Sequence, residues 1–438
     1  MRKLLFVFCL LMVVAVVSYG QVTMYNYTDA GPFPDTAAFK IPGDVINGGV
    51  AVDPEGKVWI QTYLSPDTLP TGEATGSIYI FSPDGTPAAF SPIQILTGVD
   101  ELGAPVTDTL NGTGYGLGVD PSTGNIFSVK WSTRLWMIDY KTGAGIRRIM
   151  NPIPGYTSSL AGVAANSFGE VYLGPVLPGG AVQILNADFS AGTQVAPSVG
   201  DYGRAIAVSA DGNDVFVPRF TALKTWVYHC DFGSLGPYTL ADSIFEGGSI
   251  ETIAMHPATG YVWAATDRRS TPQWTPNTYY ACIYSTGAIV DSFTVTEWPA
   301  AETLPRGLAF SPSGDTVYVG HFDGTAYPGV RRFIGTPTVV NSVDRVDDAI
   351  PSGFELDQNF PNPFNPSTEI RFSVGKDGFV SLRVYDVLGR EVQTLVNEDL
   401  AAGVYTATFN ASSLSTGTYV YVLTAGDVRI SKKMLLAK

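Results

Sequence analysis

The residues able to do chemistry are few and scattered. Three His lie at 229, 256 and 321, and two Cys, 230 and 282, remain beyond the first twenty residues. There is no Gly-x-Ser-x-Gly elbow, no phosphate-binding Gly-rich loop ending in Lys, and no His-Glu-x-x-His. Gly112-Thr-Gly-Tyr-Gly-Leu-Gly118 is Gly-rich but lacks the dinucleotide spacing and no helix follows it. Asp211, Asn213 and Asp214 could hold Ca²⁺, yet the EF-hand spacing is absent and a hairpin turn explains them. No cofactor is expected. What remains is a set of charged and aromatic residues at equivalent places in a repeat: Arg204, Glu251, Arg306 and Tyr115, with Asp267, Arg268, Arg269 and Trp274 nearby in sequence. Guanidinium groups bind acidic groups in a forked geometry, and an indole stacks on apolar or sugar faces. If these residues converge, they form a site for an anionic or polar ligand such as a sugar.

The repeat that must position them is small-apolar-small-apolar, then a turn with Gly, then Val or Ile beside an aromatic. Its copies pivot on Asp53, Asp120, Asn166, Ser209, His256 and Ser311, at steps of 67, 46, 43, 47 and 55 residues. Asp, Asn or Ser bonds back to the turn backbone, Pro presets φ and Gly accepts positive φ. His256 stands where the other copies have such a side chain, so turn chemistry explains it. Each copy reads as an antiparallel pair, followed by a third strand such as Leu135–Asp139 or Trp226–Cys230 and a weaker fourth such as Ile93–Leu96. Four strands in about 45 residues is the sequence pattern of a β-propeller. Six blades are expected, with seven as the alternative. The last unit lacks a strand, and Val22–Tyr27 with Ala38–Ile41 would close the ring.

This frame places Gly48, Tyr115, Ala161, Arg204, Glu251 and Arg306 just before the six first strands, ringing one mouth of the central channel. Long connections at 63–76, 97–115, 267–279 and 321–329 are expected on that same face, where loops usually serve binding. Two readings compete for the mouth: a ligand site, or an Arg–Glu–Arg salt bridge that plugs the channel. An enzymatic alternative is a metal-dependent hydrolase or lactonase using Glu251, with Asn47 and Asp267 as further ligands. The absence of a nucleophile–base pair favours a non-catalytic module. Cys230 and Cys282 sit at offsets of the same parity from the glycines that end their strands, so they should lean the same way and stay separate thiols unless a bulge shifts one.

The chain ends differ from this frame. Arg2 and Lys3 precede an apolar run, Leu4 to Val17, and Ser18-Tyr19-Gly20 sets a cleavage site before Gln21. The run is too short for a spanning helix, and no later segment qualifies, so the mature chain carries no transmembrane segment. The formal net charge is -14; the leader contributes +2 and residues 354–438 contribute -1, which leaves -15 on residues 21–353. That acidity excludes nucleic acid as a partner of the middle domain. Residues 341–353 read as a linker, and residues 354–438 as seven alternating strands of an immunoglobulin-like sandwich.

Two resemblances follow from these residues. The repeats over residues 22–340 resemble bacterial surface-layer and YVTN-type propellers, and more distantly NHL and gluconolactonase-type ones. No functional motif of any of those families is present. The tail closely resembles the type A sorting domain of the type IX secretion system, related to FlgD-type immunoglobulin-like domains. The matching residues are Pro361, Asn362, Pro363, Phe364, Asn365 and Pro366; then Tyr385, Asp386, Gly389 and Arg390; then Gly417, Tyr419, Lys433 and Met434. The resemblance implies a Bacteroidota-type bacterium, export through the signal peptide, and partners in the type IX translocon and its C-terminal-signal processing machinery. It implies a location outside the cell or on its outer surface.

Overall fold

The computed structural model describes residues 22–34, 47–62, 67–112, 114–130, 133–231, 233–296, 298, 304–321, 329–340, 343–347, 351, 353–364, 367–411, 414–426 and 428–437. The expected signal peptide and the strand Ala38–Ile41 lie outside them. The chain is all-β and divides into two compact units, one of them Tyr25–Pro337 and the other containing Thr338–Lys438.

In the first unit, six sheets follow the six copies of the repeat. Their first strands are Asn47–Val52, Gly114–Val119, Leu160–Ala165, Ala207–Val208, Ile250–Met255 and Pro305–Phe310. These strands lie side by side in cyclic order, the last against the first. The small residues of the repeat explain how they can: a Cβ added to Gly49 would sit 2.6 Å from the Leu117 amide nitrogen, and one on Gly162 would sit 3.0 Å from the Ala205 Cα. The hydrophobic core is correspondingly divided into six clusters, each shared by two successive sheets. The second strands, such as Val58–Thr62 and Val262–Thr266, are buried along their whole length because both faces are covered.

The last sheet borrows its outer strand from the chain start. Val22–Pro32 lies beside Val330–Val340, which lies beside Thr316–His321. Asp29 Oδ2 pairs with Arg331 Nη2 at 2.7 Å, and the Phe33 amide donates to the Val330 carbonyl at 2.9 Å. Tyr27 donates to the Gly314 carbonyl at 2.5 Å and lies 3.0 Å from His256 Nε2. His256 Nδ1 accepts from the amides of Ala258 and Thr259, as Asp53 Oδ1 does from Glu55 and Lys57, so the ring takes over the turn role of the Asp.

Two expectations for this unit need correction. Ile93–Leu96 is not a fourth strand: Ile93 makes a single bridge to Ile78, and Ile95–Val99 belongs to the next sheet. Pro87 and Pro92 both precede this segment and cannot donate to a ladder. The connection 97–115 is not a free loop either. Ile95–Val99 and Pro105–Thr109 form a hairpin added to the outer edge of the second sheet, where Asp108 accepts from Trp136 Nε1 at 3.0 Å and Arg148 Nη1 at 2.9 Å. Cys230 and Cys282 are buried in two different inter-sheet clusters and form no disulfide with each other.

In the second unit, two four-stranded sheets share one apolar cluster. Strict alternation in Gly378–Tyr385 turns Val380, Leu382 and Val384 inward, beside Tyr421 and Leu423 of the neighbouring strand in the same sheet. The stretch read as a linker is part of this unit: Val343–Asp347 pairs with Gly403–Asn410 as an edge strand. With it, the described strands of this unit number eight rather than seven.

Candidate functional site

The positions expected at the channel mouth share one backbone device. The pairing skips a residue between Asn47 and Gly49, between Gly114 and Gly116, between Leu160 and Gly162, and between Ile250 and Thr252. The skipped residues are Gly48, Tyr115, Ala161 and Glu251. In the last sheet the skip spans Arg306 and Gly307, where Gly307 takes φ of +80°. These are β-bulges, which leave the extra residue unpaired and re-aim its side chain. In the fourth sheet Arg204 lies just ahead of the short strand Ala207–Val208.

Three of the expected residues come together, Glu251 and Arg306 from bulges and Arg204 from the segment ahead of its short strand. Arg306 Nε donates to Glu251 Oε2 at 2.8 Å, and Arg204 Nε stands 3.7 Å from the same oxygen. Glu251 is only 1% exposed, and its other oxygen, Oε1, is buried with no hydrogen-bond partner. Arg204, Glu251, Arg306 and Ala161 line a cavity of about 70 Å³ at the head of the channel. A cavity of about 150 Å³ holds one benzene, so this space takes a few heavy atoms and not a whole sugar ring.

Asp267 joins the same constellation. It is fully buried, its Oδ1 accepts from the Arg269 amide at 2.7 Å, and its Oδ2 lies 3.3 Å from Arg269 Nε. Burial, together with the nearby Glu251 charge, holds its carboxyl above the usual range. Arg269, expected at this mouth, and Phe220, which sequence reasoning left out, complete it. The guanidinium of Arg269 lies 4.5 Å from the Phe220 ring centre and that of Arg204 lies 4.6 Å from it. Phe220 thus couples Arg204 to Arg269. Phe220 follows a strand that carries no special motif, so only its place after Arg219 hinted at the face it joins.

The remaining expected residues are placed otherwise. Arg268 is exposed. Trp274 is not positioned to stack on a ligand in the channel: its Nε1 donates to the Glu246 carbonyl at 2.8 Å and its ring packs on Tyr280 at 4.9 Å. The side chains of Tyr115 and Asn47 lie outside the described residues, as does most of the connection 321–329. Among the described residues no group of three or more His, Cys, Asp or Glu could hold a metal ion. Asp211 and Asp214 are engaged locally, by Asn213 and by His229 at 2.7 Å respectively.

The motif residues of the tail are tied to its last strand. Phe364 is 2% exposed, packs on Phe409, and exchanges backbone hydrogen bonds with Leu435 and Ala437. Asn362 Oδ1 accepts from the Leu435 amide at 2.9 Å. Asn359 Nδ2 donates to the Pro361 carbonyl at 3.0 Å and Thr368 Oγ1 at 2.9 Å, which holds the Pro361–Pro363 corner. Asn365 and Pro366 lie outside the described residues. Asp386 accepts from the amides of Leu388 and Arg390 and from Arg390 Nε, closing a turn in which Gly389 has φ of +76°. Tyr385 is half-buried beside that turn, and the residue after Gly417-Thr418, Tyr419, donates to the Ser415 carbonyl at 2.8 Å. Met434 is in the core, while Lys433 is exposed and its carbonyl accepts from Gln358.

Residues 358–437 match the secretion system C-terminal sorting domain family. The sorting domain marks the protein for the type IX secretion machinery, which delivers it to the cell surface or the extracellular space. No helix among the described residues is long and apolar enough to cross a membrane. No curated protein matches the sequence. Two of the solved structures that are similar to this chain are a calcium-binding protein and a protein complex. The calcium-binding protein regucalcin from Agrobacterium tumefaciens str. C58 is 15% identical, with a TM-score of 0.46, covering 70% of this chain and 94% of its own. A nidogen/laminin complex gives 12% identity and a TM-score of 0.41, covering 60% of this chain and 84% of its own.

Proposed function

We propose that the exported part ahead of the sorting domain is a six-bladed propeller that works as a non-catalytic binding module, with its ligand site at the channel mouth. The cyclic order of the six first strands supports the blade number. The single observation that carries the site is the convergence of Arg204, Arg306 and Arg269 on the buried carboxylates Glu251 and Asp267. Three guanidiniums against two carboxylates leave an excess of positive charge, and the exposed Arg268 adds to it. In a domain that is otherwise strongly acidic, this makes the mouth a local attractor for anionic groups. An Arg204→Ala/Arg306→Ala double variant tests the reading: it should lose binding of small carboxylates such as acetate, and unchanged binding would sink it.

The metal-dependent hydrolase or lactonase is the second reading, supported by the unpartnered Glu251 Oε1 and the nearby Asp267. Against it, two guanidiniums already face Glu251 and would repel a cation. A stoichiometric divalent ion in the purified mature protein would favour it. For the tail, the reading is an immunoglobulin-like sandwich of the FlgD type, supported by two sheets around one core and by Tyr405 and Tyr419, whose hydroxyls each reach a carbonyl four residues upstream. A Bacteroidota-type source remains part of the same proposal.

A further inference from the structure

We propose that the channel mouth selects a small zwitterion, such as a free amino acid or the amine-bearing acidic end of a larger molecule. The inference rests on the anion-site reading above and narrows it. Glu251 Oε2 is supplied with donors, by Arg306 at 2.8 Å and Arg204 at 3.7 Å, but Oε1 is not. A buried carboxylate oxygen without a donor is costly, so the occupant of the adjoining cavity must bring one. The cavity is lined by Gly49, Gly116, Gly162 and Ala205, which offer backbone and little else, so Glu251 is the acidic group available to an amine there.

A bare cation does not suit the place, because Arg306 and Arg204 face the same carboxylate. An anion alone satisfies the Arg excess but leaves Oε1 without its donor. A molecule with an ammonium beside a carboxylate satisfies both: its N–H groups point to Glu251 Oε1 and its carboxylate remains on the side of Arg204 and Arg306, which line the same cavity. The cavity volume of about 70 Å³ limits the part that enters to a few heavy atoms. Glycine is therefore the natural probe.

The test is a titration of the mature full-length protein with glycine, acetate and methylammonium, followed by calorimetry or NMR. Glycine should bind about tenfold or more tightly than acetate, and methylammonium least. Glu251→Gln should remove that preference, weakening glycine relative to acetate until glycine binds no better than acetate. If acetate binds as well as glycine, the zwitterion proposal is wrong and the anion site stands. If neither binds, both readings fall. Should Glu251→Gln not fold, the ranking of the three probes on the natural protein still decides.

Discussion

Arg306 and Glu251, from adjacent sheets and 55 positions apart in sequence, meet at 2.8 Å because each occupies a β-bulge. A regular strand would alternate these side chains into the inter-sheet cores or along the channel wall. The bulge breaks that alternation at one level of the ring and turns the residue toward the centre.

The pair is buried, so its halves are unequal to its sum. Arg306→Ala leaves Glu251 with only the longer contact to Arg204, and should cost about 3–5 kcal/mol in a urea unfolding experiment. Replacing both residues, as Glu251→Met/Arg306→Leu, should recover a large part of that loss. A double replacement as damaging as the single one would show that the pair itself, not the stranded charge, stabilises the ring.

The closure of the ring should be acid-sensitive. Burial lowers the pKa of His256 from the ordinary 6.5 to about 4. The unfolded chain therefore takes up a proton below pH 6.5 that the folded chain refuses until about pH 4. The stability held at neutral pH falls across that window, by about 3 kcal/mol in total. His256→Asn, the side chain that Asn166 supplies in another copy of the repeat, should lower stability at neutral pH but flatten its slope between pH 6.5 and 4. An unchanged slope would assign the acid sensitivity to other groups.

The approach of the first strands leaves no room for a methyl group at Gly49. Its added Cβ would meet backbone, the Leu117 nitrogen at 2.6 Å and the Gly116 Cα at 2.9 Å. Gly49→Ala should destabilise the ring by about 1–3 kcal/mol, read as a lower thermal midpoint. An unchanged midpoint would mean that the inner strands separate easily.

Sorting should depend on the seam between Phe364 and the last strand. Phe364→Ala should cost the tail about 3–5 kcal/mol and reduce the amount of protein reaching the medium or cell surface. The purified variant should keep the ligand binding of the natural protein. Normal export with a measurably unfolded tail would show that the machinery reads a linear motif instead.

Part of the mouth was legible from local patterns. The turn chemistry at Asp53, Asp120, Asn166, Ser209, His256 and Ser311 marks the repeat, and counting back from it reaches Arg204, Glu251 and Arg306. Asp267 follows from its place after a second strand. Trp274 was misjudged because an indole has two uses, and sequence does not say whether its N–H meets a ligand or, as here, the Glu246 carbonyl. Phe220 escaped because a cation over a ring requires no spacing in the chain. Val343–Asp347 escaped because an edge strand paired on one side is as polar as a linker.

The sequence alone determined the parts whose physics is local. These are the apolar leader, the turns that repeat, the alternation of the tail strands and the motif of the sorting domain. The tertiary structure decided everything that depends on register. A bulge exists only relative to the partner strand, and a salt bridge between sheets exists only once they are placed side by side. The burial of Glu251 is likewise a property of the assembled sheets, since in an open chain water would surround its carboxylate.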